Sequence, residues 1–390
     1  MPALWPGLKR VEASNMPPFV GINLDPSPDH LAAALPLFEA DEVEAVEFSF
    51  DTCWPPKTEP DWLSEVVGQF SSQNRLFGHG VHFSALSAGC GERHEIWLER
   101  LKSECARRRY VHISEHFGFL AAGSFHESAP LPVPLCTAAL QLASENLRRA
   151  ADISGVPFGL ENLAFAFSPA EVARQGFFLE SLLHPIDGFL LLDLHNIYCQ
   201  SCNFGVALES LLDTYPLHRV REIHVSGGSW SHPAAANGDP FRRDTHDGPV
   251  PAALFSALHY ALARCPNLKV VIFERLGGTL DTEPEQETFR QDFRRLRDIV
   301  HQAPQTQTHG HNTGAMQCCE IRNDISPAAL QGFQSALLDI LDEEVSAEAI
   351  SVRLRKETPF AQFQNEIAAF DLRAIETAAE LVRKWGKRDQ

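Results

Sequence analysis

The chain has 390 residues, 44% of them hydrophobic and 22% charged, with 33 Lys+Arg set against 51 Asp+Glu for a formal net charge of −18. That length accommodates one large barrel with an appendage, or two ordinary domains, and the apolar share suffices for a sizeable core. So acidic a balance excludes general nucleic-acid and anionic-membrane binding, which need net positive fields.

Residues 1–17 read as an N-terminal tail. MPALWPGLKRVEASNMPPF lacks the basic-then-apolar pattern of a signal peptide, and no apolar stretch approaches the ~20 residues of a membrane span, so a cytoplasmic protein is expected. Nine cysteines, an odd number scattered along the chain, agree with reduced thiols in a reducing compartment. From residue 18 to 301, short apolar or β-branched runs alternate with stretches of helical periodicity, the pattern of βα units. The runs are Phe19 to Leu24, Ala45 to Phe50, Leu76 to Phe83, Tyr110 to Ser114, Pro157 to Leu160, Gly188 to Leu194, Arg221 to Ser226 and Lys269 to Phe273. Helices are expected over His94 to Arg108, Cys136 to Ser154, Val206 to Thr214 and Pro251 to Ala263, with long insertions after the fourth and seventh strands. No glycine-rich phosphate fingerprint supports a doubly wound sheet, so the expected fold is a (β/α)₈ TIM barrel. Residues 302–325 turn polar and read as a linker, and 326–390 as a helical C-terminal region, with helices over Ala328 to Leu341 and Ala361 to Trp385.

Nearly every run ends in a residue able to bind a metal. These are Glu47 and Asp51 on the second, His79 and His82 on the third, Glu115 and His116 on the fourth, and Glu161 with Asn162 on the fifth. The sixth supplies Asp193, His195 and Asn196, the seventh His224 and the eighth Glu274, while DTHDGPV adds Asp244 and His246. In a barrel the C-terminal strand ends converge on one mouth. So many carboxylates at close range cannot all ionise without cations or protons, and a metal cluster resolves that conflict. Mixed imidazole and carboxylate donors suit iron, manganese or zinc better than thiolate or all-oxygen sites would. Cys199-x-x-Cys202 and Cys318-Cys319, the latter with His309 and His311 nearby, have no second pair to complete a zinc site and read first as ordinary thiols.

The ordered set GHGVHFS (78–84), SEHFGF (114–119), GLENLAF (159–165), LLLDLHNIY (190–198), EIHVSGG (222–228), DTHDGPV (244–250) and VIFERL (271–276) resembles the multinuclear non-haem iron-dependent oxidative enzymes, across residues 18 to 300. That resemblance implies a xylose-isomerase-like barrel holding two or three iron ions, with O₂ as co-substrate. It further implies oxidative modification of a cysteine in a ribosomally made precursor peptide, as in methanobactin and thiaglutamate biosynthesis, aided by a small partner protein that recognises the peptide. By motif position the implied metal ligands are His79, Glu115, Glu161, Asp193, His224, Asp244, His246 and Glu274, with His195 and Asn196 beside them. The sequence departs from the family pattern at Ser49 and Gly228, where histidines are common, at His195, where asparagine is common, and at His82, where glycine is. An acid often seen soon after the eighth-strand glutamate is missing.

His116, His82 and Asp51 are the candidate proton-transfer groups, because they would sit near the mouth and are not needed in every ligand count. Two rival readings stay open from the residues: a divalent-metal sugar isomerase or phosphodiesterase on the same barrel, and a non-catalytic peptide-binding scaffold whose helical tail is the working part.

Overall fold

The computed structural model describes residues 17–234, 239–304 and 319–388. Eight parallel strands close into a barrel: β1 Phe19–Leu24, β2 Ala45–Phe48, β3 Leu76–Gly80, β4 Ile113–His116, β5 Phe158–Glu161, β6 Phe189–Asp193, β7 Val220–Ser226 and β8 Val270–Glu274. Their order around the barrel is sequential, with β1 paired to both β2 and β8. Helices cover the outside: α1 Pro28–Glu39, α2 Asp61–Ser72, α3 Gly91–Arg107, α4 Thr137–Ser154, α5 Pro169–Leu183, α6 Leu194–Phe204, α7 Leu208–Leu212, α8 Ala252–Leu262 and α9 Glu283–Gln302. None of the described helices is long and apolar enough to cross a membrane.

Strand alternation sorts the side chains. One face of each strand packs on the helices, burying Val20, Ile22, Val46, Leu76, Leu160, Leu190, Leu192, Ile223 and Val271 in the main core. The other face fills the barrel. At its base Ala45, Phe77, Val270 and Ile272 form a small separate apolar cluster. Above it the interior turns polar, because the next inward positions are Glu47, His79, Ser114, Glu222, His224 and Glu274.

Two strand boundaries differ from the sequence expectation in ways that matter for the site. The fourth strand starts at Ile113 and runs through His116, since Tyr110 turns toward α3, where its hydroxyl donates to Glu104 (2.7 Å). The sixth ends at Asp193, whose side chain caps α6 by accepting from Asn196 N–H (2.6 Å). A polar cap thus converts the end of an apolar strand directly into a helix.

Beyond the barrel lie α10 Pro327–Glu343, α11 Ala347–Lys356, α12 Gln364–Ile367 and α13 Leu372–Trp385. The helix expected over Ala361 to Trp385 is broken: Asp371 N–H donates to Phe167 O (2.8 Å) while the Asp371 carboxylate caps the Arg373 N–H and starts α13 afresh. These helices pack on the loops that follow the strands. The fully buried Gln334 accepts from Ala88 N–H (2.7 Å) and donates to Leu86 O (2.8 Å), Phe370 stacks on Phe167 (4.5 Å), and Lys387–Arg388 pair antiparallel with Phe125–Glu127. Most of the expected N-terminal tail, and the stretch 305–318 of the expected linker with His309, His311 and Cys318, lie outside the described residues.

Candidate metal centre

Register brings the inward residues of neighbouring strands side by side. His79 stands opposite Ser114, His116 opposite Glu161, and Asp193 opposite His224. Four trios of donor atoms result among the described residues, each within 4.8 Å: His79, His116 and Glu161; Glu161, Asp193 and His224; Asp193, His246 and Glu274; and, deeper in the barrel, Glu47, Glu222 and His224, where His224 Nε2 is already spent on Glu47 Oε2 (3.0 Å). The first three share members. Glu161 belongs to the first and second and Asp193 to the second and third, so carboxylates able to bridge link the positions into one chain.

Supporting groups aim the imidazoles. Ser114 donates its hydroxyl to Gly78 O (3.3 Å), so its oxygen accepts from His79 Nδ1–H (2.8 Å) and leaves the Nε2 lone pair facing Glu161 Oε2 (3.4 Å). His116 Nε2 meets the same oxygen at 3.4 Å. His224 Nε2 donates to Glu47 Oε2 (3.0 Å), which turns Nδ1 toward Glu274 Oε2 (3.1 Å). Such hydrogen bonds to the far nitrogen of a histidine are what orient it for a metal. Asn196 spends its amide protons on Glu161 Oε1 (3.1 Å) and Asn162 O (2.8 Å), while Asn162 holds the β6 backbone through Asp193 N–H (2.8 Å).

The fit to cations is visible in what remains unpaired. Asp193 Oδ2, Asn196 Oδ1, His116 Nδ1, His224 Nδ1, both nitrogens of His246 and Glu274 Oε2 are buried without a well-directed hydrogen bond among the described residues. Yet His246 Nε2 is 2.7 Å from Asp244 Oδ1, and His246 Nδ1 3.2 Å from Glu274 Oε1. Donors crowded together but not aimed at one another are arranged around a common centre. Burial drives the Glu161 carboxyl well above its usual range, with Asp193 adding to the rise, and burial with Asp244 pushes Asp193 up to about 8. Burial also lowers His79 well below the usual imidazole range and His116 to about 4. For His224 and His246 that lowering is outweighed, by Glu47 and Glu274 in one case and by Asp244 and Glu274 in the other, which hold both well above it. Metal-free, the cluster balances its charge with protons; bound cations would displace them.

The family of RiPP precursor modification enzymes MbnB/TglH/ChrH matches residues 41–300. The chain belongs to this family. Among relatives, a UPF0276 protein of Caulobacter vibrioides is 28% identical over 252 residues, covering 63% of this chain and 84% of its own. Another UPF0276 protein, from Streptomyces avermitilis, is 31% identical over 217 residues, covering 51% and 43%. Solved structures with a similar barrel include an IOLI protein with a bound zinc (14% identical, 73% of this chain and 99% of that one, TM-score 0.47) and an L-ribulose 3-epimerase (13%, 73% and 92%, TM-score 0.46).

For this family member the structure does not bring every expected residue to the cluster. Glu115 lies on the opposite face of β4 from Ser114 and His116, where it accepts from Phe83 N–H (2.9 Å) and His116 N–H (3.0 Å). A side chain at Gly80 would strike it, with Cβ 2.5 Å from Glu115 Oε1. On the fourth strand, therefore, His116 and not Glu115 lies among the clustered donor atoms. Asp51 is likewise occupied, accepting from Val81 N–H (3.0 Å), His82 N–H (2.8 Å) and Trp97 Nε1–H (3.0 Å). His82 is partly exposed and joins none of the trios.

His195 is buried with both nitrogens committed, Nδ1 to Asp244 Oδ1 (2.9 Å) and Nε2 to the Arg242 guanidinium (3.0 Å), and it joins none of the trios. Two departures from the family pattern prove to be one feature, because a Cβ at Gly228 would lie 2.7 Å from His195 Cε1. Cys199 is fully buried on α6 and Cys202 half-buried, each as a free thiol.

Sequence reasoning missed Glu222 and His112, one layer below the cluster, where His112 Nε2 meets Glu222 Oε2 at 2.8 Å. Burial alone would raise Glu222, but His112 and His224 hold it down to about 2. The alternation in EIH and HISEH, which puts 222 with 224 and 112 with 116, carried the signal.

Proposed function

We propose that this enzyme holds iron ions at the three linked positions and uses O₂ to oxidise a cysteine of a ribosomally made precursor peptide. The observation that carries the reading is the run of imidazole and carboxylate trios joined through Glu161 and Asp193 at the barrel mouth. His79, His116 and Glu161 would hold one ion, Glu161, Asp193 and His224 a second, and Asp193, His246 and Glu274 a third, with Asn196 and Asp244 at hand. When bound, redox-active iron supplies the electron chemistry and promotes ionisation of a thiol.

The chain's own residues decide where substrate can approach. Side chains of the middle trio are shut in, with exposures of 5% or less for Glu161 and His224, whereas His116 (25%), Asp244 (21%), His246 (13%) and Glu274 (13%) reach the solvent side. A peptide thiol therefore meets the cluster at its ends, past His116 or past His246 and Glu274. The C-terminal helices lie on the loops around that opening and offer the additional surface that a peptide, unlike a small metabolite, needs; a separate small recognition protein would serve the same end.

The test is anaerobic loading with ferrous iron, followed by incubation with O₂ and the precursor peptide encoded beside the gene, with and without a neighbouring small partner protein. Mass spectrometry should show an oxidative mass change localised to cysteine. Turnover of a free sugar or sugar phosphate without any peptide change would favour a Lewis-acid isomerase instead.

A further inference from the structure

We propose that Arg242 and His195 form a positioning relay that fixes Asp244, and through it His246, so that filling of the third ion position depends on two residues that touch no ion. The proposal rests on the metal-centre reading above and concerns how this chain builds one end of it.

Arg242 closes the two-stranded hairpin of Trp230–Ser231 and Phe241–Arg242, just before Asp244. Its backbone is locked to the end of α6, since Arg242 N–H donates to Asn203 Oδ1 (2.6 Å) and Asn203 Nδ2 donates to Arg242 O (2.9 Å). The guanidinium is buried between two rings, 5.6 Å from the centre of Tyr198 and 5.5 Å from that of Trp230. Among the described residues it makes no ion pair with a carboxylate. Instead Nη2 and Nε lie 3.0 and 3.3 Å from His195 Nε2.

A guanidinium only donates. His195 Nε2 must therefore accept, the ring proton must sit on Nδ1, and that proton points at Asp244 Oδ1 2.9 Å away. The same oxygen is 2.7 Å from His246 Nε2. His246 itself adopts a left-handed backbone (φ 51°), which a non-glycine residue holds only when its surroundings impose it. The ring of His195 is seated equally tightly, because Gly228 leaves its space to Cε1 of that ring and to Arg243 O. The contacts described for His195 thus select one tautomer and one orientation, with the Nδ1 proton aimed at the carboxylate beside His246.

The experiment is an anaerobic ferrous-iron titration of metal-free protein, counting bound iron and recording Mössbauer spectra, for the wild type and for His195→Ala, His195→Asn and Arg242→Met. In His195→Ala the first two ions should bind as in the wild type, while the last binds about 10- to 100-fold more weakly, the usual cost of losing such a support. His195→Asn should recover most of this, since its side-chain amide places an N–H where imidazole Nδ1–H stood. Arg242→Met should fall between them, with the imidazole free to take either tautomer. Thermal unfolding of the metal-free variants checks the fold, and if His195→Ala does not fold, the other two variants carry the test. Wild-type affinity for the last ion in His195→Ala, or His195→Asn as weak as His195→Ala, would overturn the relay while leaving the metal centre standing. A wild-type protein that takes up no iron would remove the metal centre first, and the relay with it.

Discussion

Asp51, just past the second strand, and Glu115, within the fourth, stand on the side that faces the helices, and every hydrogen bond described for their carboxylates comes from an N–H: Val81, His82 and Trp97 for one, Phe83 and His116 for the other. Glu161, Asp193 and Glu274 end the fifth, sixth and eighth strands on the side that faces the barrel axis, and they meet chiefly imidazoles and one another. Both sets are buried and both stand at strand ends. The difference is in the partners. A buried acid answered by peptide N–H groups pins a loop, here residues 81–83, whereas buried acids answered by unaimed imidazoles keep their lone pairs for something else.

The widest gap between the two sets should appear on Glu161→Ala. Because Glu161 is shared by two trios, its loss should remove two ions per chain and take peptide turnover below detection, with the apolar base of the barrel unchanged. Elemental analysis beside circular dichroism reads this out, and retention of full iron would break the assignment. Asp51→Asn should do the reverse. The amide oxygen can take the Oδ2 position, where all three N–H groups converge, but the NH₂ then faces Val81 N–H at the Oδ1 position and the charge-assisted bonds are weakened, which should lower stability by about 1.5–3 kcal/mol while the iron count holds. Glu115→Gln should cost less, about 1 kcal/mol, because burial and Asp51 already push the Glu115 carboxyl well above its usual range, so that the charge lost is small. Iron loss in Glu115→Gln with normal folding would return Glu115 to the ligand set and undo the assignment by strand face.

The barrel was legible because its strands are apolar on both faces at the base and end in polar residues, a pattern that survives small errors of boundary. The site was legible as a set of strand ends but not as a set of contacts. SEHFGF holds Glu115 and His116 one residue apart, and only the strand's phase says which looks inward; the expected run stopped at Ser114, so that phase was not fixed. Glu222 and His112 were missed because they sit two residues before His224 and four before His116, deeper in the barrel, and each is answered by the other 110 residues away. The Arg242 contact of His195 was not legible for a different reason: Arg242 comes from the insertion after the seventh strand, and no spacing rule links the two.

The smallest effect is expected at Cys199, which distinguishes a buried group near the cluster from one that belongs to it. Its thiol is 3.9 Å from His195 Nδ1, but that proton is already directed at Asp244, and burial with Asp244 nearby keeps the thiol far above its ordinary titration range. It is a small apolar filler on α6 rather than a thiolate. Cys199→Ser exchanges sulfur for a hydroxyl that can bond back to the carbonyl one helical turn earlier, so the cost should be about 1 kcal/mol of stability. Iron content, Mössbauer spectrum and peptide turnover should stay within about twofold of the wild type, since a cost of that size acts on the fold and not on the donors. Loss of turnover with iron intact would show that the sulfur takes part in the chemistry, and the boundary drawn here between donors and packing would have to move to include it.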